Sequence, residues 1–578
     1  MQAPSIEPAH LRLDDRAERI FVNATWLVLS AALLAYVYAF GRNTPYWDDW
    51  EQIAVLTGAH PFNLQWLLEQ NLEHRYILGK ALLYPIWLAS GGDFRGAMWI
   101  TDLLLIALAY AYLHVARLLR GRAAFADAFF PLALLHWGHS ESLIFFAQLW
   151  FVLPIALFSA ALLSIVTGRW QSGRGAVTLG MCVLLLPLNG AMGILLAPPL
   201  IAWMAYAAWA RRANAPIAWP LAIAGIIALA ISALYFVHYQ PPLMAALPHT
   251  VPGTLRAALE VLCISFGPAG AKLWPLLGLG VAATCVVVAI GLVMLAKRYR
   301  SERVRASGYL ACLAATGLLV FGIGYGRGIY PGGGFPGRYC LLCVPALCLV
   351  FLAAIQFGAR FRGRLIEIAL FTGAGAMLLP NAWTGLAYAR FRDATSDALL
   401  ADVAAGVPPR ALAQRYWPAI YPQSEPMAAR LEMMLAARVG PYKNIAAAPA
   451  EPACHEAHVP YHMIGSNQVE FDGDADRSLG TDPHVVYALP EALRVCAITL
   501  HYTVDNGNAG PAMTQVFWKF SAAGEEFDVV RRNAMVTRPA GEQTATFWVY
   551  DKIDHFRFDP DVRPGTFRLI DVTLMLEN

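Results

Sequence analysis

Two adjacent carboxylates, Asp48 and Asp49, stand between Trp47 and Trp50 in the stretch NTPYWDDWEQ. Neighbouring carboxylates among bulky aromatics have their ionisation tuned by burial and by each other. In one reading, one of them is a general base while the other orients an acceptor or a metal ion. In the other, the aspartates favour a helix start and the tryptophans mark a membrane interface. Glu73, His74 and Arg75 close the same loop just before apolar residues resume. An arginine and a histidine at a membrane edge suit a lipid-linked phosphate, which they would hold by charge-assisted hydrogen bonds. The plainer alternative makes them flanking anchors.

A second set lies far along the chain. The segment RGIYPGGGFPGRY (327–339) carries Arg327, Arg338 and Tyr339 in an irregular, glycine-rich backbone. Such backbone is tolerated at membrane depth only against protein or a cavity; a flexible loop with two solvated arginines is the alternative. The segment HWGHSESLIFFAQLW supplies His136, His139, Glu141 and Gln148. These residues either line a pocket or belong to a helix start capped by Ser140. Asn189, between Pro187 and Gly190, either marks a helix break that opens into the same pocket or is a plain break. FDGDADRS spaces Asp472, Asp474 and Asp476 as oxygen ligands could be, but calcium needs six to eight oxygens, and a solvated turn is expected.

The elements that must position these residues follow from composition. Charged residues make up 14% of 578 and hydrophobic ones 58%, against about 25% charged in a soluble chain. That excludes an ordinary soluble enzyme and a disordered chain. A net charge of +3 with no long basic run excludes a nucleic-acid partner. The expectation is a polytopic α-helical membrane protein, in contact with membrane lipids. Apolar runs lie at 20–40 and near 96–116, 123–137, 142–166, 174–188, 190–210, 217–238, 273–296, 306–326, 339–358 and 365–386. Two shorter ones, 76–90 and 252–268, could cross, re-enter or lie at the interface. Arg12, Arg16 and Arg19 precede the first run and no small-residue cleavage site follows, which predicts an uncleaved first helix with a cytoplasmic N-terminus.

Five basic clusters, at 117–122, 169–174, 211–212, 297–305 and 360–364, orient the rest. With all five cytoplasmic, the chain crosses 11 times and its C-terminus lies outside. If both short runs cross, the count is 13 and the central loops invert. The preferred count of 11 places the loops richest in polar and aromatic residues, 41–75, 136–141, 239–251 and 327–338, on one outer face.

Residues 1–386 thus form the membrane part, and 387–453 a helical connector ending in the linker AAAPAEPA (446–453). Residues 454–578 alternate with period two, as in RVCAITLHYTV, and predict a β-sandwich. Of nine cysteines, seven lie in or beside apolar stretches. The Cys340/Cys343 spacing imitates a redox pair but is expected to be simple packing. Cys454 and Cys496 are the two in the polar region. Outside the cytoplasm they are expected to form a disulfide, a buried thiol at Cys496 being the alternative.

The combination resembles the C-type (GT-C) membrane glycosyltransferases, which include protein O-mannosyltransferases, aminoarabinose transferases and arabinosyltransferases. YWDDW with EHR downstream resembles bacterial members of that group, PGRY resembles their late R-Y element, and SESLIFFAQLW is similar to a mid-chain segment. The similarity covers about 20–386. The segment IDHFRFDPDVRPGTFRLIDVTL resembles carbohydrate-binding-like β-sandwich domains appended to bacterial polysaccharide enzymes.

The resemblance implies a GT-C-like catalytic domain acting at the outer face of the bacterial inner membrane. It would transfer a sugar, with inversion, from a polyprenyl-phosphate-linked donor to a glycan, lipid or protein acceptor. Asp48 or Asp49 would deprotonate the acceptor. Arg75 and Arg338, with His74, would hold the departing phosphate, alongside Glu73, Arg327 and Tyr339. Some relatives use a divalent metal ion, but the sequence supplies no ligand set that claims one. The rival readings are a polysaccharide polymerase or ligase, a lipid-linked-sugar flippase, and a glycan-binding scaffold. Polymerases place their key residues in a large late loop, flippases commonly show internal repeats, and a scaffold leaves Asp48 and Asp49 unexplained.

Overall fold

A computed structural model describes residues 15–578 apart from 242–246, 359–362, 418, 423, 445–451, 474, 508, 509, 522, 523, 525, 529 and 531. Arg12, Arg360, Arg362, Asp474 and most of the 446–453 linker lie outside the described residues. The chain divides into two compact units, Met1–Arg42 with Phe62–Arg390, and Asn43–Pro61 with Phe391–Asn578.

The helices run in chain order as α1 (Arg16–Phe40), α2 (Ile77–Ala89), α3 (Arg95–Arg120), α4 (Leu149–Thr167), α5 (Gly173–Leu185) and α6 (Gly190–Ala210). Then come α7 (Ala215–Leu234), α8 (Val251–Cys263), α9 (Leu276–Arg298), α10 (Arg303–Arg327), α11 (Cys340–Phe357) and α12 (Gly363–Ala404). Among the described residues, nine helices are long and apolar enough to cross a membrane, and α2 and α5 are shorter apolar helices. Helix α12 runs unbroken through position 387.

The nine differ from the expected 11–13 for identifiable reasons. The run at 123–137 is not one helix but the turns Phe125–Ala128 and Trp137–His139 around the six-residue helix Phe129–Leu134. Gly138 closes that break, fitting where a Cβ would come within 2.8 Å of both His136 and Pro268. Helices α2, α5 and α8 have 13 residues each, about 20 Å at 1.5 Å per residue, short of a hydrocarbon core of about 30 Å. Helix α8 is amphipathic, burying Ala257, Glu260 and Val261 while Leu255 is exposed.

Charged contacts tie together one end of the first unit. Arg120, in the last turn of α3, bonds Asp127 and reaches Glu367 of α12 at 2.5 Å. Asp15 accepts the Ala123 N–H at 3.1 Å and pairs with Arg19 at 2.5 Å. Helix α11 is the centre of the unit, with Leu341 through Ala354 buried without interruption. Its Cys340, Cys343 and Cys348 are free and buried, packing as small hydrophobes.

In the second unit, α13 (Pro409–Tyr416) and α14 (Ser424–Ala437) precede nine antiparallel strands. These are β1 (Cys454–Ala457), β2 (His462–Asn467), β3 (Val469–Glu470), β4 (Asp476–Ser478), β5 (His484–Asp505), β6 (Ala512–Lys519), β7 (Asn533–Arg538), β8 (Gly541–Asp559) and β9 (Gly565–Glu577). Their order is β3-β4-β9-β5-β8-β6-β7, with β1 on β9 and β2 on β5. The β5–β8 ladder breaks between Ala488 and Leu493, where Pro490 cannot donate. Past that irregularity the two long strands pair again, within one nine-stranded sheet. Tyr502 and Phe558, from opposite halves, meet across the core at 5.6 Å. Ile498, Leu500, Tyr502 and Val504 are all buried on the face that alternation predicts. A disulfide joins Cys454 and Cys496.

Candidate functional site

At the end of the first unit opposite the Arg120–Glu367 contact, four distant segments come together. Glu73 and His74 end the first-loop segment, held by the 235–239 segment that follows α7. Tyr235 and Tyr239 donate their hydroxyls to the Glu73 carbonyl at 3.0 and 3.3 Å. Burial raises both phenols above their ordinary range, and the nearby Glu73 carboxylate adds to it. Arg75 faces the same segment, donating to the carbonyls of Tyr235 and Val237 at 2.9 and 2.8 Å. Its guanidinium therefore fastens the loop.

The Glu73 carboxylate meets Arg327, the last residue of α10, at 2.8 Å. Arg327 also donates through Nε to the Tyr339 hydroxyl at 2.9 Å. Arg338 lies over the Tyr339 ring at 5.2 Å and faces Glu141 at 3.6 Å. Glu141 in turn accepts the backbone N–H groups of Gly337 and Arg338 at 3.3 and 3.0 Å. Two arginines and two glutamates, each between a fifth and a third exposed, thus share one solvent-facing patch.

His74 sits beside them as a neutral ring. Its Nδ1 accepts the Ala191 N–H at 3.3 Å, in the first turn of α6, so the proton belongs on Nε2, which faces Glu73 at 3.7 Å. Burial pushes its pKa down to about 4; Glu73 opposes the shift, while Arg327 and Arg338 reinforce it. The chain enters α6 through Gly190 at φ +70, where a Cβ would lie 2.9 Å from the Tyr76 ring. Asn189 donates to the Leu185 carbonyl at 2.8 Å and closes the break between α5 and α6.

His139 lies away from solvent. Its Nε2 is 2.9 Å from the Ala133 carbonyl, its ring stacks on His136 at 4.0 Å, and both rings are buried. Of the expected residues, the structure brings together Glu73, His74, Arg327, Arg338, Tyr339 and Glu141. It turns Arg75 onto backbone carbonyls and His139 into the interior. Reading the sequence missed Tyr235 and Tyr239, which end an apolar run and carry no motif, and Glu260 of α8, which lies in the short run 252–268.

Asp48 and Asp49 belong to the second unit. They open the turn Trp47–Gln52, where an Asp49 carboxylate oxygen accepts the Tyr46 N–H at 3.0 Å and the residue is buried. Asp48 is half-buried. Trp47 takes φ +46 and donates its N–H to the Ile420 carbonyl at 2.8 Å; Trp50 is fully buried against Tyr421. Glu51 accepts from Tyr421 at 2.5 Å and from Arg430 at 2.8 Å. Burial first, and then Glu51, pushes the Tyr421 phenol up to about 12. Arg392 covers the Tyr46 ring at 4.7 Å.

With one oxygen of Asp49 committed to the backbone, the pair does not present two open carboxylates to a divalent cation. Among the described residues, ligand atoms close enough for a metal occur at Asp482, His484 and Asp559 in the sandwich. There Arg557 donates to both aspartates at 2.5 Å and already supplies the cation.

No protein-family model matches the chain, and no curated protein aligns with it. Among solved structures it is similar to ArnT from Cupriavidus metallidurans in the apo state, with 15% identity and a TM-score of 0.37 over 72% of this chain and 78% of that one. It is also similar to the arabinosyltransferase EmbB from Mycobacterium smegmatis, with 12% identity and a TM-score of 0.26. That similarity takes in 94% of this chain and 64% of EmbB.

Proposed function

We propose that this chain is an inverting membrane glycosyltransferase of the GT-C type. It takes a sugar from a polyprenyl-phosphate donor and passes it to a cell-envelope glycan, lipid or protein at the outer face of the bacterial inner membrane. The observation that carries the reading is the patch of Arg327 and Arg338 with Glu73 and Glu141, built from segments far apart in sequence at the end away from the Arg120 cluster. On the argument from the five basic clusters that end lies outside, and the proposed location of the sandwich 454–578 is extracytoplasmic.

In this reading the acceptor hydroxyl loses its proton to a carboxylate, the role the sequence suggests for Asp48 or Asp49. The oxygen attacks the anomeric carbon, and the bond from that carbon to the phosphate oxygen breaks. Negative charge then grows on the departing polyprenyl phosphate, where Arg327 and Arg338 stabilise it. Their present carboxylate partners keep two arginines poised at the patch without leaving an uncompensated charge there. No step is assigned to a metal ion.

The test is release of polyprenyl phosphate from a radiolabelled polyprenyl-phosphate sugar by the purified protein in detergent. Transfer of single sugars, lost in Arg338→Ala, supports the reading. Donor translocation without cleavage would favour a flippase, and transfer of whole preassembled glycans a ligase.

A further inference from the structure

Helix α8 carries Arg256 and Glu260 four residues apart, one turn from each other on its face toward the segment 327–339. Glu260 is 2% exposed. Its two carboxylate oxygens accept different backbone N–H groups of that segment, Oε1 from Gly332 at 3.2 Å and Oε2 from Gly334 at 2.9 Å. Arg256 donates to the Gly328 carbonyl at 3.2 Å and faces Glu260 at 3.5 Å. Gly334 approaches so closely that a Cβ there would meet the Ala257 carbonyl oxygen at 2.3 Å and the Glu260 Cβ at 2.7 Å.

A glycine-rich segment has a large conformational entropy to lose. Between Arg327, which ends α10, and the turn Gly337–Tyr339 no helix or strand fixes it. A buried carboxylate that accepts two N–H groups in the middle of such a segment, through charge-assisted bonds, fixes the spacing of whatever stands at its ends. We infer that Glu260, oriented by Arg256, is a positioning residue that sets the separation of Arg327 and Arg338 for a phosphate. This rests on the reading of those arginines given above. Glu260 itself touches neither arginine in that role; it acts through the backbone of 332–334. The role also gives a purpose to the amphipathic α8, whose apolar face lies on α10.

Glu260→Gln keeps size but replaces one acceptor oxygen by an amide donor that faces an N–H. Expected are faster hydrogen exchange confined to peptides spanning 328–339 and a donor KM raised about tenfold. The acceptor KM and the exchange of α1 and α4 should be unchanged, and Glu260→Asp should recover part of the loss. Binding of undecaprenyl phosphate in detergent should weaken in parallel. Gly334→Ala, which pushes the segment off α8 without removing the carboxylate, should reproduce the phenotype and carries the test if Glu260→Gln does not fold. Unchanged exchange in 328–339, or altered exchange with unaltered undecaprenyl phosphate binding, overturns the inference. An Arg338→Ala protein that binds undecaprenyl phosphate as well as wild type would instead sink the reading of the patch itself.

Discussion

Arg327 reaches Glu73 at 2.8 Å although 254 positions separate them. The pair joins the end of the first-loop segment to the end of α10, and Tyr339 makes the arginine's second bond. Both side chains are about a quarter exposed. A pair so solvated contributes on the order of 1 kcal/mol at most to folding. Its placement matters more for what Arg327 can bind.

Arg327→Ala should therefore separate stability from function. The melting temperature in detergent is expected to shift by no more than a few degrees. Undecaprenyl phosphate binding should weaken by about tenfold or more, the effect of losing a charged hydrogen bond of about 1.5–3 kcal/mol. A double-mutant cycle with Glu73→Gln should give a stability coupling of about 1 kcal/mol or less. A large melting shift with unchanged binding would make the pair a structural strut.

His74 predicts a pH dependence with a definite sign. Its pKa falls from 6.5 in the unfolded chain to about 4 in the fold, so between those values the unfolded state holds more protons. The stability it allows is complete above about pH 6.5 and is lost as pH drops toward 4. Protonation would place a donor on Nδ1 against the Ala191 N–H and a charge beside Arg327 and Arg338, with only Glu73 to offset it. Melting curves between pH 7 and 4 should show this loss, and His74→Gln should flatten it. Equal slopes in both proteins would remove His74 as the cause.

The membrane character and the strands of the C-terminal part were legible in the sequence because each is written in local pattern. Long apolar runs read directly as α1, α3 and α9, and alternation picked the buried face of β5. Tertiary context decided the rest. Nothing local distinguishes Arg75, spent on the carbonyls of Tyr235 and Val237, from Arg327, which faces a carboxylate. The same limit applied to 252–268: its moderate apolarity left crossing and non-crossing open. Its arginine and glutamate have a purpose only once the glycines of 332–334 lie against them.

Asp48 and Asp49 should behave differently despite their adjacency. Asp49→Asn leaves a weaker, uncharged acceptor for the Tyr46 N–H and should cost about 1 kcal/mol of stability. Transfer per folded molecule should be nearly unchanged. Asp48→Asn should lower transfer per folded molecule by about 10²–10⁴-fold, the usual worth of a positioned base. Full activity in Asp48→Asn would end its assignment as base. Loss of activity only in Asp49→Asn would move the role to the buried residue.

The Cys454–Cys496 bridge closes a separation of 42 residues and ties β1 to the long central strand β5. In the chain-entropy model a loop of that length contributes about 4 kcal/mol. Reduction, or the double change Cys454→Ala with Cys496→Ala, should therefore lower the unfolding temperature of the sandwich. The seven remaining cysteines are unpaired thiols, six of them buried, so reductant should leave the helical transition in place. Alkylation of the unreduced protein under denaturing conditions should modify those seven and spare Cys454 and Cys496. Labelling of all nine in protein taken directly from membranes would show that the bridge does not form in the cell. It would also count against the proposed extracytoplasmic location of the sandwich, since an oxidising compartment is what lets such a bond persist.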